Sequence, residues 1–232
     1  MIQDKFVSVI ISAAGSGTRM GTEGKLHLEI AGEAVLSRTL RKFSGLSWVD
    51  ELILVVRPAE EAFAQALVTQ IGFSYPVHFV YGGAQRHHSV KNGLAALSAA
   101  SDIVLTHDGA RPFVRPEEIR RVAKAVLIHP AAAVAVPMTD TVKIVREDLS
   151  VLTTPDRSSL YRVQTPQGFQ TRVLLHAYEK AEKEGIAGTD DCSIVEKQGV
   201  RVQLLPGSET NIKITTRADL RFGEGIAGEE EA

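Results

Sequence analysis

The sequence holds little that would staple it, anchor it or draw it to a polyanion. It has a single cysteine, Cys192, so no disulfide can form within the chain and nothing points to an oxidising compartment. Its apolar runs are short and interrupted, and none reaches the roughly 20 residues that a bilayer-spanning helix needs. Residues 1–5 carry no basic segment leading into an apolar leader, so the expected location is cytoplasmic. Neither sign of charge dominates: 26 basic and 28 acidic residues give a formal net charge of −2. That balance offers no basic excess to nucleic acid or an anionic membrane. Aromatic residues make up 6% of the chain, and no aromatic–basic stripe is present on which single strands could stack. What remains is 44% hydrophobic and 23% charged over 232 residues, suited to one sizeable domain. Small anionic substrates stay allowed, because they respond to local charge.

The chain is organised around its opening. Residues 6–11, Phe-Val-Ser-Val-Ile-Ile, form an apolar, β-branched run that suits a strand buried on both faces. Seven small residues follow, Ser12 to Thr18, including Ala13, Ala14 and Gly15, and their lack of bulk lets backbone approach a ligand. Arg19 and Lys25 then add two cations. Strand, small-residue loop and cations read as a phosphate site; they read also as an ordinary Gly-rich turn beside surface charges. No Gly-Lys-Ser/Thr closes the loop as in a Walker A motif, and the third glycine of a dinucleotide fingerprint is missing.

Further along, short buried strands alternate with helices of about ten residues, the pattern of a mostly parallel α/β sheet. Strands are expected at 51–56, 77–80, 103–105, 131–136, 161–165, 202–205 and 211–215. Helices are expected at 35–43, 60–68, 89–99, from Pro116 to about 129, at 171–184, from about 191 to 197, and from Thr216 or Asp219 onward. In such sheets ligands gather at the carboxyl ends of the strands. That rule selects 13–25, 82–89 and 106–111. Gly82 and Gly83 leave room for a flat base, and Ser89 can bond that base or simply satisfy nearby amides. His87 and His88 are expected to point apart on their helix, which argues against a metal pair. Asp108, just past a strand, can hold a divalent cation against phosphates or form a structural pair with Arg111. Lys213, a cation inside an apolar strand, fits a phosphate contact. Cys192 reads as a small buried residue, not a nucleophile.

The rhythm breaks at 138–160, where extended pieces at 141–145 and 151–154 flank the polar Arg146-Glu-Asp148 turn. This is a projecting β-hairpin arm, too small to stand alone, so a homodimer that shares arms is expected. The tail after Leu220 is expected to fray.

Read together in order, these pieces carry a resemblance. Ala13-Ala14-Gly15-Ser-Gly-Thr-Arg19-Met with Lys25 resembles the opening of sugar-phosphate nucleotidyltransferases. The later pieces are Gly82-Gly83 with Arg86 and Ser89, His107-Asp-Gly-Ala-Arg-Pro112, Asp140-Thr141-Val-Lys143, Thr165-Pro-Gln167, Gly188-Thr-Asp190 and Asn211-Ile-Lys-Ile-Thr215. The whole set, from residue 7 to about 220, is similar to the 2-C-methyl-D-erythritol 4-phosphate cytidylyltransferase family of the non-mevalonate isoprenoid pathway.

The resemblance implies a Rossmann-like domain spanning 1–232, a Mg²⁺ cofactor, CTP and a polyol phosphate as substrates, and a homodimer joined through its arms. It implies that Ala13, Ala14, Gly15, Gly82 and Ser89 frame the nucleoside, and that Arg19, Lys25 and Lys213 serve the reacting phosphates. Asp108 would assist the metal. Thr189 would meet the acceptor phosphate, with Arg157 and Thr141 entering from the partner's arm. Ser12, Gly24 and Ala84 depart from residues common in the family. Two other readings share many of these features: a ribitol-5-phosphate cytidylyltransferase, and a non-catalytic nucleotide-binding regulator.

Overall fold

The computed structural model describes residues 2–15 and 27–230. Seven strands form one sheet: β1 (Val7–Ser12), β4 (Glu51–Val56), β5 (Val77–Tyr81), β6 (Ile103–Asp108), β7 (Ala131–Pro137), β10 (Tyr161–Gln170) and β11 (Val202–Pro206). Their order is β11-β7-β10-β6-β1-β4-β5. All neighbouring pairs are parallel except those made by β10, which runs antiparallel to both β6 and β7. The expected class is therefore observed: a mostly parallel, Rossmann-like α/β sheet flanked by helices.

Strand periodicity divides the core into two layers. Val7, Val9 and Ile11 of β1, with Leu52, Leu54 and Val56 of β4, pack on one face. They meet Leu36, Leu40 and Phe43 of α1 (Val35–Ser44), Leu67 of α2 (Glu61–Ile71), and Ile119 and Val122 of α4 (Pro116–Val126). Ile10, Ile53 and Val55 turn to the other face. There they meet Val90 and Leu94 of α3 (Arg86–Ala95), Leu174 and Tyr178 of α5 (Thr171–Lys183), and Ile194 of α6 (Asp191–Glu196). Burying each such side chain contributes about 1.5–3 kcal/mol before chain entropy is set against it. The central strands β1, β4 and β6 are buried on both faces because helices cover both; the edge strands β5 and β11 are only partly buried.

Local signals set the helix ends. Pro116 opens α4, where the Glu118 carboxylate accepts the Arg115 N–H at 2.9 Å. Gly72 stops α2 with φ +73°, a conformation that favours glycine.

Several expectations are corrected. The third helix begins at Arg86 and ends at Ala95, not 89–99: Ser89 N–H already donates to Gln85 O (3.1 Å), and the Ala96 and Leu97 N–H groups step back only three residues, to Gly93 O (3.1 Å) and Leu94 O (3.3 Å). β10 continues past Pro166 to Gln170 through a register shift between Val163 and Gln167. Residues 211–215 join no ladder. They lie against the loop after β6, held by Ile214 N–H on Ala110 O (2.8 Å) and by Arg111 Nη1 on Asn211 O (2.7 Å). The tail beyond Leu220 does not fray: α7 (Arg217–Glu230) is capped by Thr215 and Thr216 N–H groups on Asp219 (both 2.7 Å). Its Ala227 is sealed among Ile30, Val35, Phe113 and Ile214. Two-residue strands β2 (Glu29–Ile30) and β3 (Glu33–Ala34) form the hairpin that receives it.

The arm is present as β8 (Ile144–Val145) and β9 (Val151–Thr153), shorter than the extended pieces read from sequence. Ile144, Leu149, Val151 and Leu152 are all exposed on it.

An Ala227→Asp substitution tests the α7 packing. Burying an unpaired carboxylate there should remove about 2 kcal/mol and lower Tm by roughly 4–8 °C. An unchanged melting curve would mean the last helix is dispensable to the core.

Candidate active site

The site is built around Asp108, the last residue of β6. Its carboxylate, 9% exposed, lies 2.8 Å from Lys213 Nζ, 3.3 Å from Arg86 Nε and 3.6 Å from Arg111 Nε. Burial alone would push this carboxyl up. Arg86, Lys213 and Arg111 outweigh that and hold it well below the usual carboxylate range, so Asp108 is an anion at any working pH.

Arg86 is itself held from behind. Its Nη1 and Nη2 donate to the two oxygens of Asp191 at 2.8 and 3.0 Å, a bidentate pair. Asp191 is fully buried and also accepts from Thr106 Oγ1 and the Tyr178 hydroxyl, both at 2.6 Å. Desolvation works against the Arg86 charge, but Asp191 and Asp108 override it and raise its pKa. Gln167 locks α6 in register with this pair. Its Oε1 accepts the N–H groups of Asp191 (3.2 Å) and Cys192 (3.1 Å), and its Nε2 donates to Asp190 Oδ2 (2.7 Å). Asp190 caps α6 by accepting Ser193 N–H at 2.9 Å.

His107 supports the other side of Asp108. Thr165 Oγ1 accepts the Asp108 N–H (3.1 Å) and donates to His107 Nδ1 (3.0 Å), leaving Nε2–H to donate to Arg111 O (3.2 Å). A neutral imidazole satisfies this chain, and burial favours it by pushing the pKa down to about 4.

Two cavities meet at this cluster. One, of about 430 Å³, is bounded by Ala14, Gly15, Gly82, Ser89 and Arg57. The other, of about 420 Å³, is bounded by Thr165, Gln167, Thr189, Asp190 and Ser193. Arg86, Asp108 and Lys213 line both. The first cavity exists because its loops are small: a Cβ on Gly82 would sit 2.2 Å from Ala14 Cβ. A further cavity of about 370 Å³ opens beside Lys5 and Asp102, at the opposite end of the strands, away from these charges.

Of the residues singled out from sequence, Ala14, Gly15, Gly82, Ser89, Asp108 and Lys213 converge on the first cavity, and Thr189 on the second. Ala13 backs the loop, its N–H on Val55 O at 2.7 Å, without facing the cavity. Ser89 takes the local option: its hydroxyl accepts from Gly83 N–H and donates to Gln85 O. Thr141 and Arg157 line neither cavity of their own chain; both are exposed, and Arg157 Nη1 donates to Thr139 O at 2.9 Å. Arg19 and Lys25 lie outside the described residues. The His87 and His88 rings do not point apart: their centroids are 4.1 Å from each other. Among the described residues no group of three His, Cys, Asp or Glu converges as a metal cage. Cys192 is buried, and burial raises its thiol pKa. Arg86, Gln167 and Asp191 were not singled out as site residues. Acids at a helix start are ordinary capping residues, so no local signal marked Asp191 as the partner of Arg86.

Sheet order and loop placement together define a Rossmann-like class of α/β protein with these two cavities at the carboxyl ends of the strands. The family model of 2-C-methyl-D-erythritol 4-phosphate cytidylyltransferase matches residues 7–229. A protein of that name from Caldanaerobacter subterraneus subsp. tengcongensis is 42% identical over 220 residues, covering 94% of this chain and 97% of that one. A solved 4-diphosphocytidyl-2C-methyl-D-erythritol synthase from Anaerococcus prevotii superposes with a TM-score of 0.88 at 36% identity, covering 97% and 99% of the two chains. The 2-C-methyl-D-erythritol 4-phosphate cytidylyltransferase of Thermus thermophilus gives 0.79 at 33% identity, covering 96% and 99%. The chain belongs to the 2-C-methyl-D-erythritol 4-phosphate cytidylyltransferase family of nucleotidyltransferases. No helix among the described residues is long and apolar enough to cross a membrane.

His107 generates a pH prediction. Unfolded, it takes up a proton near pH 6.5; folded, it resists until about 4. Its contribution is therefore complete above pH 6.5 and lost as pH falls through that window, on the order of 3 kcal/mol in all. Chemical denaturation from pH 7 to 4 should show a shallower decline in His107→Gln than in wild type. Identical slopes would place the imidazole outside this linkage.

Proposed function

We propose that the protein joins 2-C-methyl-D-erythritol 4-phosphate to CTP, giving 4-diphosphocytidyl-2-C-methyl-D-erythritol and pyrophosphate. One observation carries this reading: two cavities, one walled by small-residue loops and one by Thr189, share Arg86, Asp108 and Lys213. A donor nucleotide in the first and a phosphorylated polyol in the second would bring their phosphates together beside Lys213.

The chemistry asks little of a general base. The acceptor phosphate is already anionic near neutral pH, so its oxygen can attack the α-phosphate of CTP directly, with pyrophosphate leaving and no covalent enzyme intermediate. The obstacle is anion meeting anion. In the cluster, three cations face the carboxylates of Asp108 and Asp191. Lys213, 35% exposed, is the cation able to leave Asp108 for a non-bridging oxygen as charge gathers there. Arg19 and Lys25 are assigned to the triphosphate. Holding both phosphates in line supplies the rest of the acceleration.

Asp108 would take a Mg²⁺ ion once Lys213 has left it for a phosphate: it is an ionised carboxylate lining both cavities, and Mg²⁺ is commonly held by one or two carboxylates plus substrate phosphates and water. Bound there, the ion would neutralise phosphate charge. The exposed apolar side chains of the arm support a dimer in which Thr141 and Arg157 serve the partner's acceptor site.

Pyrophosphate release with CTP and Mg²⁺, comparing methylerythritol 4-phosphate with ribitol 5-phosphate, tests the reading. Strong preference for the former is expected; preference for ribitol phosphate would reassign the acceptor. Lys213→Ala should lower kcat/KM by at least about 100-fold, equivalent to about 2.7 kcal/mol of transition-state stabilisation, with Tm little changed. Near-normal turnover would remove Lys213 from the mechanism. Mixing Lys213→Ala with Arg157→Ala subunits should restore up to about a quarter of wild-type activity if arms are shared between sites, and nothing if they are not.

A further inference from the structure

We infer that Asn211 is a positioning residue, setting where Lys213 stands between the two cavities; this rests on the part proposed for Lys213 above. Lys213 sits in a segment that joins no sheet ladder, so strand pairing does not fix it. After β11 the chain crosses over β7 and β10 to the loop that follows β6. Its hydrogen bonds mark the path: Gly207 N–H donates to Ala135 O (2.9 Å), Gln164 Nε2 to Ser208 O (2.8 Å) and Ile214 N–H to Ala110 O (2.8 Å). Lysine has a long, flexible stem, so the placing of its amine depends on how firmly its backbone is held.

Two buried residues bracket Lys213. On one side Ile214 is sealed among Ile30, Phe113 and Ala227. On the other, Asn211 is fully buried and lines neither cavity, so it acts on a substrate through another residue. Its N–H donates to Ser208 O (3.1 Å), its carbonyl accepts Arg111 Nη1 (2.7 Å), and its Nδ2 donates to Thr165 O (2.9 Å). Its Oδ1 is buried and meets no donor among the described residues, so the side chain holds through Nδ2.

The choice of Thr165 as acceptor gives this bond its consequence. The Thr165 hydroxyl accepts the Asp108 N–H at 3.1 Å, while its carbonyl takes Asn211. One residue of β10 is therefore the common reference for the carboxylate and for the segment carrying the amine that lies 2.8 Å from it. Asn211 is the link on the lysine side. A displacement of about 1 Å at a reacting centre can cost about 100-fold in rate, so a buried amide outside the cavities can govern turnover.

The test is a cycle of wild type, Asn211→Ala, Lys213→Ala and the double variant, read by pyrophosphate release with CTP and methylerythritol 4-phosphate. Asn211→Asp accompanies it, keeping the shape without the donor. Asn211→Ala should lower kcat by about 10- to 100-fold with KM for CTP within about threefold, and Asn211→Asp by at least as much. Loss of one neutral hydrogen bond should lower Tm by about 2–6 °C. On top of Lys213→Ala, the same alanine should lower kcat by less than about threefold, because the residue it acts through is gone. A loss there as large as in wild type would overturn the inference and give Asn211 a role independent of Lys213. Acetylation of lysines followed by mass spectrometry reads the placement without turnover. Lys213 should react at least about threefold faster in Asn211→Ala, while Lys5, paired with Asp102 at the far end of the strands, keeps its rate. An unchanged Lys213 rate would overturn the inference. Near-normal turnover in Lys213→Ala with faster labelling in Asn211→Ala would remove Lys213 from the mechanism and leave the anchorage standing.

Discussion

A buried carboxylate surrounded by three cations is the constraint on which the site depends. Asp108 could not remain ionised at the end of a covered strand unless Arg86, Arg111 and Lys213 outweighed its desolvation. Each cation arrives from a different part of the chain. Arg86 comes from the first turn of α3, Arg111 from the loop after β6, and Lys213 from the extended segment that leans on Ala110. The carboxylate therefore ties together three segments that share no local sequence signal. Removing Arg86 from the fully buried Asp191 would cost about 3–5 kcal/mol, typical of a broken buried pair, whereas removing the partly exposed Lys213 leaves Asp108 with two other cations.

The antiparallel strand β10 makes this possible. It enters between β6 and β7 and shifts register between Val163 and Gln167. Thr165 thereby reaches the Asp108 N–H and His107, while Gln167 reaches the start of α6. α6 in turn presents Asp191 to Arg86. The two cavities are consequently walled by one connected hydrogen-bond system, and its rigid side is the fully buried Asp191–Tyr178–Thr106 group. Lys213, partly exposed on the wall shared by the two cavities, is where an anionic ligand can reach this system.

The chain's own text determined the alternation of strands and helices, the buried strands at 51–56 and 131–136 nearly to the residue, and the loops where ligands gather. Continuous apolar runs and helical spacing are local, and short-range packing does not contradict them here. Asp108, Gly82 and Lys213 were legible as candidates because unusual residues at strand ends are a local signal too. Tertiary structure alone decided the rest. The Asn211–Thr215 segment alternates like a strand but finds no neighbouring edge, since its backbone is taken by Ala110 and Arg111. Gly223 and Ala227 give α7 a seat that a weakly apolar tail does not announce. The pairing of Arg86 with Asp191, 105 residues away, and the bond from Asn211 to Thr165 O exist only once the sheet order is set. Propensity acts over a few residues; charge compensation and burial act between whichever residues the fold makes neighbours.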